Sequence, residues 1–328
     1  MTTDYPSHHD PNRGFRNPWP NSTPPRFPAL FRWALDRLIH PPPRDPPASA
    51  FPTVSPTFVA PRAPADQLTV TWIGHSATLI QIGGCNLLTD PMLGRRASPL
   101  PFAGPRRWVP PALSVDALPP LDVVLVSHNH YDHLHRGSVR ALAARFPTTP
   151  WIAPLGLAPL LRRWGVRETE ELDWWDAASL AGLTVTATPA QHFSARGPTD
   201  RNRTLWCGFT ISAQTRRAYF VGDTGYHPHF GTIAERLGPF DLTLMPVGAY
   251  DPRWVMRPVH LDPDEAVRAF LDLGGGASGV MGAIHWGTFK LTDEPMDEPP
   301  RRTRAAWQDA GLPAERLWIP RHGETRAI

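Results

Sequence analysis

Four apolar runs in this chain each end on a histidine or an aspartate, and that pattern restricts its fold more than any other feature. Val123-Val124-Leu125-Val126 runs into Ser127-His128-Asn129-His130-Tyr131-Asp132-His133. Leu183-Thr184-Val185-Thr186-Ala187-Thr188-Pro189 leads into Gln191-His192, residues 217–221 into Gly222-Asp223, and residues 279–284 into His285. Short Val/Ile/Leu/Thr runs bounded by polar or glycine-rich stretches read as buried strands. Strand ends cluster along one edge of a sheet, so these four positions can meet in space although far apart in sequence. One histidine behind a strand is more often structural; four ligand-type residues in the same place point to a shared site.

The segment behind the first run is the densest. His128 and His130 alternate along an extended chain, so both rings can point to one side. Asp132 and His133 follow where the chain turns toward a helix expected over 137–146, and they can face a second ion. Imidazole and carboxylate together suit zinc, with iron or manganese less favoured.

With 328 residues, 41% hydrophobic and 19% charged, the chain can build one large layered domain or two small ones. The net charge is only +3, and Lys290 is the sole lysine, so the positive charge is nearly all arginine. That bias fits GC-rich codon usage or a set of forks for phosphate and carboxylate. The arginines are interspersed with acids and form no continuous basic track, which argues against nucleic acid as a partner. Two cysteines, Cys85 and Cys207, make no disulfide framework and suggest a reducing, cytoplasmic compartment. Residues 1–6 lack the basic-then-apolar pattern of a secretory signal, and no stretch approaches the ~20 apolar residues of a membrane span.

Residues 1–66 are dense in proline and read as an extended arm, with residues 67–328 as the main domain. Within the arm, residues 29–39 place Phe31, Ala34, Leu35 and Leu38 at helical spacing. This short amphipathic helix has three open roles: packing on the core, pairing in a homodimer, or peripheral contact with a membrane. From Leu68 the pattern switches to period two, with strands over 68–73, 77–82 and 85–89 and a turn at Gly83-Gly84. Asp90 ends that meander and is either a hydrogen-bond partner for a ligand histidine or a turn residue. His75 has the same ambiguity and a weaker claim. Residues 92–120 form a long irregular segment carrying Arg95, Arg96, Arg106 and Arg107, either a cleft wall or a solvated loop. A helix is expected over 155–164, and another over 262–273 with Asp262 as N-cap and Pro263 at its first position.

The His-x-His-x-Asp-His pattern at 128–133 resembles the signature of the metallo-β-lactamase superfamily. Other stretches are similar to its N-acyl-phosphatidylethanolamine-hydrolysing phospholipase D branch. They include Arg16-Asn17-Pro18-Trp19-Pro20, Leu88-Thr89-Asp90-Pro91, Glu171-Leu172-Asp173-Trp174-Trp175, Gly222-Asp223-Thr224-Gly225-Tyr226 and Ala283-Ile284-His285-Trp286-Gly287. The resemblance implies an α/β four-layer αββα sandwich. It implies two zinc ions per chain, one on His128, His130 and His192, the other on Asp132, His133 and His285, with Asp223 bridging. Asp132 and Asp223 then serve catalysis as well as metal binding. His260 matches a family histidine placed to contact the scissile phosphate or to protonate the leaving alcohol. The implied reaction cleaves an N-acyl-phosphatidylethanolamine-like phospholipid to phosphatidic acid and an N-acylethanolamine. Val259 stands where the animal members have glutamine. The competing reading is a cytosolic di-zinc hydrolase of a water-soluble phosphodiester or a sugar-phosphate lactone. A catalytically dead lipid-binding module is the reading from another class, and seven filled ligand positions argue against it.

Overall fold

The computed structural model describes residues 7–328; residues 1–6, on which the secretory-signal reading rests, lie outside the described residues. The arm begins with a two-stranded ribbon, β1 (His9–Asp10) and β2 (Gly14–Phe15), followed by helix α1 (Phe27–Ile39). The period-two region folds as expected into an antiparallel meander of β3 (Leu68–Gly74), β4 (Ala77–Ile82) and β5 (Cys85–Thr89). Gly83 and Gly84 both take positive φ, 61° and 77°, which glycine adopts freely in a tight hairpin turn. Strands β6 (Val123–Leu125), β7 (Trp151–Pro154) and β8 (Thr169–Leu172) continue the sheet in parallel. A last strand, β16 (Thr325–Ala327), closes its other edge, so the order is β16-β3-β4-β5-β6-β7-β8.

The second sheet contains β9 (Ala177–Leu180), β10 (Leu183–Thr188), β11 (Gly208–Ala213), β12 (Arg216–Phe220), β13 (Leu242–Pro246), β14 (Val280–Ile284) and β15 (Leu317–Trp318). Its order is β15-β14-β13-β12-β11-β10-β9, antiparallel from β9 to β12 and parallel from β12 to β15.

Side-chain alternation explains how the sheets stack. Val123 and Leu125 join Trp72, Leu87, Val185, Phe209, Phe220 and Leu244 in the core between the sheets. Val124 and Val126 face the other way and pack against α2 (Arg136–Arg145) and α3 (Ala158–Arg163) through Val139, Leu142 and Leu161. Tyr219, Met245 and Met281 pack likewise against α4 (His229–Leu237), α6 (Pro263–Phe270) and α7 (Glu298–Asp309) through Phe230, Phe270 and Trp307. Helix, sheet, sheet, helix: the four-layer sandwich is the observed architecture. A short α5 (Arg253–Met256) lies in the connection after β13. Fully burying one such Val or Leu side chain contributes about 1.5–3 kcal/mol, so the three apolar layers carry much of the fold's stability.

Two helix boundaries differ from the sequence reading. The helix expected from residue 155 starts only at Ala158, because Gly156 takes φ 89° beside the Arg203 carbonyl. The helix capped by Asp262, whose side chain accepts from the Glu265 N–H at 2.9 Å, continues past Phe270 as a π-turn over Leu271–Gly275. Gly274, φ 81°, breaks the helical path within that turn. Helix α1 buries no residue completely. It touches the domain through Trp33, which packs on Val255, Met256 and Val259 and donates from Nε1 to Asp293 at 2.5 Å. Phe27, Phe31, Leu35, Leu38 and Ile39 stay exposed.

Strand direction places the site. Two antiparallel steps separate β3 from β5, and two separate β10 from β12, so β3, β5 and β6 run one way within their sheet, as do β10, β12, β13 and β14 in theirs. Their C-terminal ends carry His75, Asp90, His128, His192, Asp223 and His285.

Candidate metal centre

All seven residues singled out as ligands meet at that edge. His128, His130 and His192 bring one nitrogen each to a common point, with His128 Nε2 2.9 Å and His192 Nε2 3.1 Å from His130 Nδ1. Beside them, Asp132, His133 and His285 form a second group. His285 Nε2 lies 3.2 Å from His133 Nε2, and Asp132 Oδ2 lies 3.3 and 3.4 Å from those two nitrogens. Asp223 Oδ2 stands between the groups, 3.0 Å from His133, 3.1 Å from His285, and 3.9 Å from both His128 and His192.

Hydrogen bonds around His128, His133 and His192 fix which nitrogen of each ring faces the group. The Ser127 N–H donates to Asp90 Oδ1 at 2.7 Å, and the Ser127 hydroxyl donates to Asp90 Oδ2 at 2.6 Å. With its proton so committed, Ser127 Oγ accepts from His128 Nδ1–H at 2.9 Å, leaving Nε2 of His128 unprotonated. Asp90 Oδ2 also accepts from His133 Nδ1–H at 2.6 Å, which turns the Nε2 lone pair of His133 into the second group. His192 Nδ1–H donates to the Val259 carbonyl at 2.8 Å, freeing its Nε2. One buried aspartate thus orients a histidine in each group, and the turn reading of Asp90 is insufficient.

These atoms fit cations better than protons. A single proton cannot bridge three nitrogens converging on one point, whereas a cation accepts all three lone pairs. Asp223 Oδ1 and His285 Nδ1 are buried with no hydrogen-bond partner among the described residues. Burial, with the neighbouring His133 charge, pushes His128 well below the ordinary imidazole range, and burial takes His130 to about 3 and His192 to about 4. Those three rings are therefore neutral, as ligands must be. Burial also opposes charge on Asp132 and Asp223, but His133 and its hydrogen bonds win and hold both carboxyls well below their usual range. In His285, burial is outweighed by Asp223, and the ring is raised to about 9. Asp223, Asp132 and Asp90 likewise outweigh burial at His133 and raise it well above the ordinary range, so both rings keep a proton that a divalent cation entering the same carboxylate field would displace from the inward nitrogen.

Backbone strain collects at the same edge. His75, Asp90 and His285 take φ of 59°, 34° and 63°, the left-handed region that non-glycine residues rarely occupy and that clusters at functional sites. Gly248 packs so closely that a Cβ there would sit 2.2 Å from the His285 carbonyl.

Sequence reasoning undervalued His75. Its Nε2–H donates to Asp132 Oδ2 at 2.9 Å, and its ring lies 4.0 Å from that of His285. The signal was present, since Gly74-His75 follows a strand as the other site residues do. The arm also reaches the site: Asn17 donates to the His192 carbonyl at 3.0 Å, and Trp19 Nε1 donates to Gln191. His8 and His9 fasten the arm to Asp173 at 2.6 and 2.7 Å. His260 lies at the mouth, with Nδ1 3.9 Å from Asp223 Oδ2 and its ring 5.1 Å from that of His192. Its side chain is 12% exposed and that of Asp132 13%, whereas the ligand rings below are 0–1% exposed at His128, His133, His192 and His285.

Residues 85–286 match the model of the Beta-lactamase superfamily domain. A protein of Mycobacterium tuberculosis is 45% identical over 262 residues, 79% of this chain and 69% of that one. N-acyl-phosphatidylethanolamine-hydrolyzing phospholipase D 1 of Caenorhabditis elegans is 41% identical over 243 residues, 71% of this chain and 67% of that protein. A possible metal-dependent hydrolase of Veillonella parvula superposes with a TM-score of 0.64 at 18% identity, covering 80% of this chain and all of that one. The sandwich, the converging ligand-type residues and these likenesses agree, and the chain belongs to the metallo-β-lactamase superfamily as a metal-dependent hydrolase.

Proposed function

We propose that the chain is a di-zinc phospholipase D that cleaves N-acyl-phosphatidylethanolamine-like lipids to phosphatidic acid and an N-acylethanolamine. His128, His130 and His192 would hold one ion and Asp132, His133 and His285 the other, with Asp223 standing between the two groups. When bound, such a pair supplies Lewis-acid stabilisation of phosphoryl oxygens and a water acidified toward pH ~7. Asp90 and Ser127 keep His128 and His133 in the tautomers that point lone pairs inward. His75 holds Asp132 by Oδ2, the same oxygen that faces His133 and His285. Burial keeps His260 well below the ordinary imidazole range, so it stands neutral at the mouth with one N–H for a phosphoryl oxygen or the departing alcohol.

The observation that carries the lipid reading is the position of α1. Trp33 packs on the Val255, Met256 and Val259 cluster, which includes the neighbour of His260, so α1 is anchored on the segment that presents His260 while Phe27, Phe31, Leu35 and Leu38 stay exposed. Arg32 lies over Trp254, 5.0 Å from its ring, and adds a cation–aromatic pair typical of interfaces. Among the described residues no helix is long and apolar enough to cross a membrane. A water-soluble phosphodiester or sugar-phosphate lactone accounts for the ligands but leaves that apolar face without a role.

The test is a panel of N-acyl-phosphatidylethanolamine, other phospholipids and soluble phosphodiesters, run with zinc-loaded and chelator-treated protein. Zinc-dependent release of N-acylethanolamine is expected. Turnover confined to soluble substrates would reject the lipid assignment and keep the hydrolase.

A further inference from the structure

On the flank of the 128–133 loop lies a cavity of about 1130 Å³ that contains none of the seven ligands. Its walls carry Arg95, Arg96, Arg106, Arg136, Arg163 and Arg196 against a single carboxylate, Asp200. Several arginines elsewhere in the fold have acidic partners, as Arg253 has Glu265 at 2.6 Å and Arg216 has Asp241 at 3.3 Å. None of these six has a carboxylate within 4.0 Å among the described residues. Asp200 does not neutralise them directly, because its oxygens accept the backbone N–H groups of Arg196 and Gly197 at 2.8–3.2 Å.

Arg196 is held in place. Its Nη1 donates to the carbonyls of Asn129 and Leu134 at 2.6 and 2.8 Å, and its guanidinium lies 3.8 Å from the Tyr131 ring centroid. Six like charges gathered around one concavity repel one another, and a bound anion offsets that repulsion while matching the planar forks. Leu93, Leu160 and Trp164 give the same cavity an apolar wall.

We propose that this cavity is a second binding site, for the dianionic phosphate of a monoester whose organic part lies on the apolar wall. Coulomb attraction to the cluster is about twice as large for a dianion as for a monoanion at the same distance. The site therefore prefers a phosphomonoester to the phosphodiester class that a metal-centre substrate would bring. Through Arg196 its occupant sits against the loop that presents His130 and Asp132. The proposal stands apart from the lipid reading of the metal centre, since it uses none of the same side chains.

The experiment titrates metal-loaded protein calorimetrically with sn-glycerol 3-phosphate and with its methyl diester. Flotation with phosphatidylcholine vesicles, with and without phosphatidic acid, forms the second arm. Saturable monoester binding, at least tenfold tighter than the diester, is expected; a response in the soluble arm assigns a free phosphate ester, and one in the vesicle arm alone assigns a lipid head group. Arg106→Glu/Arg163→Glu, and the milder Arg106→Gln/Arg163→Gln, should weaken binding at least tenfold with metal content unchanged. Metal-poor Asp223→Ala should retain it. The proposal is overturned by absence of binding in both arms, by equal affinity for the diester, or by indifference to both arginine pairs. It is also overturned if Asp223→Ala abolishes binding, or if a single-stranded oligonucleotide outcompetes the monoester.

Discussion

Replacing Asp90 by asparagine tests the tautomer argument with one nearly isosteric change. The carboxylate is fully buried and accepts three hydrogen bonds, from the Ser127 N–H, the Ser127 hydroxyl and His133 Nδ1–H. An asparagine side chain offers one oxygen and one NH₂. If the oxygen stays on the Ser127 N–H, the NH₂ faces two donors and drives His133 to the tautomer protonated on Nε2, the nitrogen aimed at Asp132 and Asp223. If the amide flips, the NH₂ meets the Ser127 N–H. Either way at least one charge-assisted bond is lost, worth about 1.5–3 kcal/mol. At about 1.4 kcal/mol per tenfold, that is roughly a 10–100-fold loss of metal affinity, the range found when such orienting partners are removed. Chelator competition followed by elemental analysis measures it, with His133→Ala as the reference for a lost ligand. Wild-type metal affinity in Asp90→Asn, with the fold intact by circular dichroism, would refute the argument.

Asp223→Ala should empty both metal groups, whereas His260→Ala should keep its metal and slow turnover about 10²–10⁴-fold; equal metal loss in the two, by elemental analysis, would remove His260 from the catalytic role. Gly248→Ala should displace His285, because the added carbon would lie 2.2 Å from the His285 carbonyl, and metal at the second group should fall before that at the first. The arm should loosen in acid. Burial opposes charge on Asp173, but the bonds from His8 and His9 and the Trp174 N–H hold its carboxyl below the usual value. A depressed folded-state value means the clasp is fully present above about pH 3.9 and is lost as pH falls through the lower folded value. Pepsin nicking of residues 7–22 should therefore rise below that pH, and Asp173→Asn should make nicking nearly independent of pH. Phe27→Ser/Phe31→Ser should reduce vesicle binding, read by flotation, while hydrolysis of a soluble phosphodiester stays within about twofold; undiminished vesicle binding would dissociate α1 from the membrane.

How much of this was legible in the chain follows from the range of the forces involved. Alternating and continuous apolar runs set the strands, and the Gly83-Gly84 pair set a hairpin, because those effects act over a few residues. The cap at Asp262 was readable for the same reason. The His-x-His-x-Asp-His stretch declared metal-ligand chemistry within six positions. Helix α1 was visible as an amphipathic segment, but its sequence did not reveal that Trp33, Arg32 and Arg37 would find partners on the domain while its phenylalanines stay exposed.

Sequence alone determined which elements form and which residue types stand behind them. Only the tertiary structure decided which of those residues share a site, because convergence depends on strand direction and on two sheets closing face to face. The parity of antiparallel steps brings His75 and Asp90 to the edge that holds His128 and Asp223, a relation between partners that no local pattern encodes. The tautomers were settled at the same level. Ser127 can direct the His128 ring only because Asp90, from a neighbouring strand, has already taken its proton.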